Sequence, residues 1–193
     1  DKASADKVVA QIKKEDQWGC ALQLDTLKIK TFTTFFEEFG GVLEKETGSP
    51  NFDFLINNAG TGVYEPIATT TEEQFDEMCN IHLKGVYFLT QKALPYVNDG
   101  GRIINISSGL VRYAFPTASA YASMKGAVEV FTRYLAKELA PRKITANTVA
   151  PGAIETDFGG GENKTNETKR GFIIQGTALG RVGRPDDIGG VVA

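Results

Sequence analysis

Tyr121 and Lys125 stand four residues apart in a segment of helical spacing, so both side chains leave the same face of a helix. A phenol titrates near ~10, and an ammonium beside it favours the ionised form, drawing proton release toward physiological pH. That is general acid or base chemistry, which works best when the pKa lies near the operating pH. Thirteen residues before Tyr121, Ser108 follows the run Arg102-Ile103-Ile104-Asn105-Ile106-Ser107. Its hydroxyl suits an oxygen on which negative charge develops. Ser107 competes for that place, and spacing to Tyr121 selects Ser108. A Tyr-x-x-x-Lys pair alone says little, because an aromatic at a packing edge and a solvated lysine recur at that spacing. With Ser108 the three groups make a proton-transfer site for carbonyl chemistry.

Such a site needs elements that bring distant residues together. Apolar runs of strand length at Cys20–Leu24, Phe52–Asn57, Arg102–Ser107 and Ile144–Val149 alternate with helical patterns at about Thr26–Thr47, Glu72–Val97 and Ala118–Ala140. Further helices are expected at Ala3–Glu15 and from Pro185-Asp186-Asp187 onward. Strands that read as continuous apolar runs between helices predict an α/β fold, a doubly wound parallel sheet with helices on both faces. Ligands of such sheets bind beyond the carboxyl ends of the strands. Asp25 follows the first run, Asn57-Asn58-Ala59-Gly60 the second, Ser107-Ser108 the third and Pro151-Gly152 the fourth, so four strand ends converge on one crevice. Gly40-Gly41 predicts a kink in its helix. Gly159–Lys169, polar and glycine-rich without apolar period, reads as a mobile loop over the site. Its Gly159-Gly160-Gly161 lacks the strand-then-helix setting and the Lys-Ser/Thr of a phosphate-binding loop. His82, the only histidine, reads as a packed or solvated helix residue.

In order and spacing this set resembles the short-chain dehydrogenase/reductase family, of its compact single-domain type. The resemblance rests on Asn57-Asn58-Ala59-Gly60, Asn80, Ser108, Tyr121-Ala122-Ser123-Met124-Lys125 and Asn147-Thr148-Val149-Ala150-Pro151-Gly152, and it covers the chain from Asp25 to Asp187. It implies one Rossmann-like domain over residues 1–193 that interconverts a ketone and a secondary alcohol with NAD or NADP. On this resemblance Tyr121 protonates the carbonyl oxygen, or takes the proton back in reverse. Lys125 lowers the tyrosine pKa and bonds the nicotinamide ribose, Ser108 stabilises the substrate oxygen, and Asn80 holds a water linking Lys125 to solvent. Asp25 matches the residue that contacts adenine. Asn57, Ala59 and Gly60 match the loop beside the adenosine ribose, though Asn57 also reads as a tie between neighbouring strands. Pro151, Gly152, Ile154 and Thr156 match the segment beside the nicotinamide.

The family's glycine-rich dinucleotide loop and its last strand have no counterpart in this sequence. The expectation is a longer enzyme trimmed at both ends, and NAD versus NADP has no reading. Two alternatives share the fold: a non-catalytic dinucleotide-binding relative, and an epimerase or dehydratase using the same Tyr–Lys pair. The complete set of proton-handling groups and the Asn-Asn-Ala-Gly run favour the reductase. Leu110–Pro116, apolar and aromatic, should line a pocket for a ketone or alcohol with a hydrophobic body, and Arg112 leaves room for an anionic group.

Length and composition bound the rest. A chain of 193 residues and 20.9 kDa, with 41% hydrophobic residues, makes one domain with a sizeable core. A net charge of −3 and a pI near 5.3 give no electrostatic footprint for nucleic acid. No apolar stretch reaches the ~18 residues of a membrane span, and Asp1–Asp6 lack a signal peptide's apolar region. Cys20 and Cys79 have neither metal nor redox spacing, so a reducing cytoplasm is expected. Val128, Phe131, Tyr134 and Leu135 give the Ala118–Ala140 helix more than one apolar stripe. With the family resemblance, this predicts a dimer or tetramer through that helix and Glu72–Val97.

Overall fold

The computed structural model describes residues 1–193. Three parallel strands form one sheet in the order β1 (Phe52–Asn57), β2 (Val97–Ile106), β3 (Thr145–Val149). Asn57 lies opposite Asn105, and Asn105 opposite Thr148, so the three carboxyl ends finish level. After the N-terminal helix α1 (Lys2–Lys14), three helices cover one face: α2 (Phe32–Thr47), α4 (Val86–Ala93) and α5 (Ser119–Glu138). Between them and the sheet lies the core, with Phe32, Phe36, Leu89, Ala93, Ile103, Leu135 and Ile144 all buried. Burying an aromatic or branched side chain of this kind stabilises by about 1.5–3 kcal/mol each. On the opposite face Phe54, Ile56 and Ile104 line a groove of about 410 Å³ together with Gly189 and Val192 of the C-terminal helix, Asp186–Val192. The parallel sheet with helices on both faces is therefore the observed architecture.

The run Cys20–Leu24 forms no strand. An apolar run becomes a strand only by pairing its backbone, and no strand lies beside this one. The expected Glu72–Val97 helix is broken instead into α3 (Glu72–Cys79), a π-helical turn over Asn80–Gly85, and α4. A capping box between Thr71 and Gln74 starts α3. Strand β2 begins early, at Val97, because Asn98–Gly101 bulge outward between the pairs Phe52–Val97 and Phe54–Arg102. Gly101 is obligatory there: a Cβ would stand 2.8 Å from both the Asn98 and Asp53 carbonyl oxygens.

Two further expectations are corrected. Helix α2 runs through Gly40-Gly41, and Gly40 serves close packing, since a Cβ on it would lie 2.9 Å from the Tyr96 ring. Gly159–Lys169 is largely helical, with a short turn at Glu162–Thr165 and then a helix over Glu167–Gly176. The Asn166 side chain caps the Lys169 amide at 3.0 Å, the ion pair Lys169–Glu162 ties the two together, and Arg170–Glu155 ties the second to the loop after β3. Polar caps and charges hold these turns, which an apolar-period reading does not register.

Candidate active site

Beyond the carboxyl ends of the strands opens a cleft of about 650 Å³. The loops after β2 and β3 are zipped together outside the sheet: the Ser107 amide donates to the Val149 carbonyl, and the Gly109 amide to the Pro151 carbonyl, each at 2.7 Å. This lays Ser108 beside Pro151-Gly152. Ser108 then starts a short 3-10 turn, Gly109–Val111, by accepting the Leu110 amide on its Oγ at 3.2 Å. Ser107 is committed elsewhere. Its hydroxyl donates to Glu129 Oε1 at 3.0 Å and reaches the Lys125 carbonyl at 3.3 Å, pinning α5 to the strand end.

Along α5, Ala120, Met124, Val128, Thr132 and Leu135 turn inward and anchor the helix. Tyr121 and Lys125 share the next face and both line the cleft. The Lys125 ammonium donates to the Ile106 carbonyl at 2.7 Å and lies 5.6 Å from the centre of the Tyr121 ring. Burial lowers Lys125 from 10.5 to about 8. Burial also pushes the Tyr121 phenol up to about 12, the neighbouring Tyr64 adds to the rise, and the Ser108 hydroxyl pulls the other way. Withdrawal from water thus raises the phenol where the pairing with Lys125 on one helix face predicts a lowered value.

A buried polar chain braces the strand ends. Asn57 Nδ2 donates to Asn105 Oδ1 at 2.7 Å and Thr90 Oγ1 at 3.0 Å, while Asn105 Nδ2 donates to Thr132 Oγ1 at 2.8 Å. Asn57 is therefore a tie among β1, β2 and α4, and α5 joins through Thr132. Of the residues expected around a cofactor, Gly60, Pro151, Gly152, Ile154, Thr156, Tyr121 and Lys125 line the cleft. Asp25, Asn57 and Ala59 stand outside its wall. The Asp25 carboxylate accepts the Leu27 amide at 3.0 Å and pairs with Lys28 at 3.1 Å, and the amide, followed by Lys28, lowers its pKa.

Asn80 is not among the residues that line the cleft. It opens the π-helical turn, and its carbonyl oxygen lies 2.9 Å from where a Cβ on Gly85 would stand. His82, two residues on, is the member of this turn that meets Tyr121. It is fully buried, its ring stands edge-on to Tyr121 at 5.0 Å, and its Nε2 lies 2.7 Å from the Thr61 carbonyl. Burial first, and then the Lys125 charge, lower it to about 4 despite the Thr61 bond. The sequence carries no signal for this, since the wide turn breaks the spacing by which helix faces are counted.

The outer cleft is aromatic. Tyr64 and Phe158 stand 6.4 and 6.0 Å from Tyr121, and Phe115 meets Phe172 edge-on at 6.3 Å. Arg112 and Lys169 also line it, the Lys169 ammonium 5.6 Å from the centre of the Tyr64 ring.

The whole chain, residues 1–193, matches the family described as enoyl-(acyl carrier protein) reductase. It is 35% identical to a short-chain dehydrogenase/reductase of Pestalotiopsis microspora, over 99% of this chain and 74% of that protein. It is 34% identical to the hydroxynaphthalene reductase-like protein Arp2 of Metarhizium brunneum, over 98% of this chain and 73% of the other. Among solved structures it is similar to the promiscuous reductase LugOII of lugdunomycin biosynthesis, with 39% identity, TM-score 0.91, and coverage of 100% and 76%. The angucycline C-6 ketoreductase LanV with bound NADP gives 32% identity and TM-score 0.92, covering 99% and 73%. The chain belongs to the short-chain dehydrogenase/reductase family, the NAD(P)-dependent oxidoreductases of ketones and alcohols.

Proposed function

We propose that this chain reduces flat, aromatic-bodied ketones with NADP or NAD, and that Tyr121, Ser108 and Lys125 handle the proton. The observation that carries the reading is the meeting of these three groups in a cleft walled by Tyr64, Phe115, Phe158 and Phe172. Aromatic side chains offer offset and edge-on partners for a fused-ring substrate. The landomycin ketoreductase LanV, crystallised with NADP and rabelomycin, and the hydroxynaphthalene reductase-like relatives support that substrate class.

The residues present fit a dinucleotide. Gly60 puts bare backbone at the cleft wall, and a Cβ on Gly152 would meet nothing within 4 Å, which leaves an open cradle on that side. Gly60, Pro151, Gly152, Ile154 and Thr156 would hold the cofactor along the strand ends, with Lys125 reaching its ribose. A bound reduced nicotinamide supplies the hydride. Ser108 donates to the substrate oxygen as charge builds there. Tyr121, kept protonated by burial, gives that oxygen its proton from the phenol. Lys125, held by Ile106, favours the phenolate left behind.

Three finer points complete the reading. Tyr87, Val130 and Tyr134 are exposed on α4 and α5, which supports a homodimer or tetramer through these helices. Val128 and Leu135 are buried within the protomer and take no part in it. Free thiols at Cys20 and Cys79 support a cytoplasmic location. No helix is long and apolar enough to cross a membrane.

The test is a panel of tetralones, hydroxynaphthalenones and straight-chain ketones with NADPH and NADH, followed by loss of the reduced-nicotinamide absorbance. Bicyclic ketones should be reduced with higher kcat/KM than aliphatic ones. Equal rates would remove the aromatic preference, and no turnover of any ketone would remove the reductase reading.

A further inference from the structure

The one buried histidine has no role in the mechanism above, yet its placement is specific. His82 lies in the π-helical turn over Asn80–Gly85, fully buried, with its ring perpendicular to that of Tyr121 at 5.0 Å. The Thr61 carbonyl, 2.7 Å from Nε2, can only accept, so Nε2 carries the hydrogen. Nδ1 is therefore a bare lone pair. It is buried and has no hydrogen-bond partner. On that side stands Gly60, where a Cβ would fall 2.8 Å from His82 Cε1 and 3.4 Å from Nδ1, so the absent side chain makes room for the imidazole. A buried acceptor without a partner is uncommon, and such atoms cluster at functional sites. A ring needed only for packing would carry no such atom: phenylalanine fills similar space with nothing to satisfy.

We propose that His82 is a positioning residue for proton transfer at Tyr121: a neutral imidazole fixed in the Nε2–H form, whose free Nδ1 is a hydrogen-bond acceptor between the Gly60 loop and the Tyr121–Lys125 pair. The Nε2–H fixes the loop after β1 through Thr61. The ring edge fixes the phenol. The proposal rests on the reading of Tyr121 as the proton donor.

The two nitrogens and the ring volume can be separated by substitution. His82→Asn keeps a donor for the Thr61 carbonyl and an acceptor, but loses volume. His82→Phe keeps the ring and loses both nitrogens. If His82 handles hydrogen bonds, Asn should retain the larger share of kcat while Phe loses at least ~10-fold, the lower range for a group serving proton transfer. KM for the ketone should change less than kcat in both. If His82 only packs, the order reverses, and Phe above Asn would overturn the proposal. Should either variant fail to fold, nitrogen-15 NMR of the wild-type protein decides instead. The imidazole signals are assigned from whichever variant folds, or from the chain's single histidine directly. A bare Nδ1 and a protonated Nε2 at neutral pH are the expected result, and the opposite tautomer or an imidazolium would overturn it. Tyr121→Phe serves as the control. If it leaves kcat intact, the proton-donor reading falls and the inference with it. If it abolishes turnover while Phe at position 82 equals or exceeds Asn, only the inference falls.

Discussion

The Lys125 ammonium hangs 2.7 Å from the Ile106 carbonyl, at the last residue of β2, so one side chain of α5 is fastened to the end of the central strand. The lysine reaches the phenol's neighbourhood from a fixed backbone point and not as a free surface charge. Tyr121, one turn earlier, inherits its position from the same anchor.

Replacing Tyr121 with Phe should leave the fold and cofactor affinity nearly intact and lower turnover by at least ~10²-fold, the scale of a positioned acid. Steady-state kinetics with a bicyclic ketone check this, alongside fluorescence titration of NADPH. More than half the wild-type rate in the variant would remove Tyr121 from the chemistry.

Lys125 gives stability a pH dependence of definite sign. Its folded value of about 8 lies below the ordinary 10.5. Between these values the unfolded chain holds a proton that the folded chain has released, so stability rises with pH across the window. Below it both states are charged, and the buried ammonium costs its full amount. Urea midpoints measured from about pH 7 to 10.5 should climb more steeply in wild type than in Lys125→Met, which has nothing there to titrate. Parallel curves would show that Lys125 is solvated.

The Asn57–Asn105–Thr132 chain predicts a loss of stability without a change in shape. Asn105→Ala removes two buried hydrogen bonds, leaving Asn57 Nδ2 with Thr90 alone and the Thr132 hydroxyl with the Val128 carbonyl alone, and each bond lost costs about 0.5–1.5 kcal/mol. Thermal unfolding should register a large drop in Tm, with the strand content in circular dichroism preserved. A change under ~0.5 kcal/mol would mean that water replaces the missing bonds.

Gly60 and His82 form a size-matched pair. Gly60→Ala should destabilise by about 1–3 kcal/mol through overpacking, because its Cβ would meet the imidazole at 2.8 Å. His82→Ala in the same chain should relieve that clash. A double-mutant cycle measures the coupling, and additive effects would show that the loop after β1 simply moves aside.

If α4 and α5 carry a subunit interface, Tyr134→Glu should shift the sedimentation of the protein toward a smaller species. A wild-type protein that sediments as a monomer at micromolar concentration would leave these aromatics as ordinary surface.

The convergence of Ser108, Tyr121 and Lys125 was legible because it depends on local rules. A strand end supplies the serine, and a four-residue helical step supplies the other two. The place of His82 beside Tyr121 was not legible: helix-face counting assumes an unbroken helix, and the wide turn at Asn80–Gly85 violates it. The Cys20–Leu24 run has strand composition, but strandhood belongs to a pair, and its partner is not a property of those five residues. The helices after Gly161 hide for the opposite reason. Caps and ion pairs hold them together, and polar residues do not announce a period.

The wide turn also sets the phase between two helices. One additional residue in a helical turn rotates everything beyond it by about 100°. Before the turn, Met78 of α3 packs against Ala120, Tyr121 and Met124 of α5. After it, Leu89 and Ala93 of α4 face the sheet, and Thr90 meets Asn57. An unbroken helix would point one of these stripes at water. A single-residue deletion between Asn80 and Gly85 would therefore act as a torsion on the whole layer, not as a local trim. This stretch of chain can change its side chains far more readily than its length.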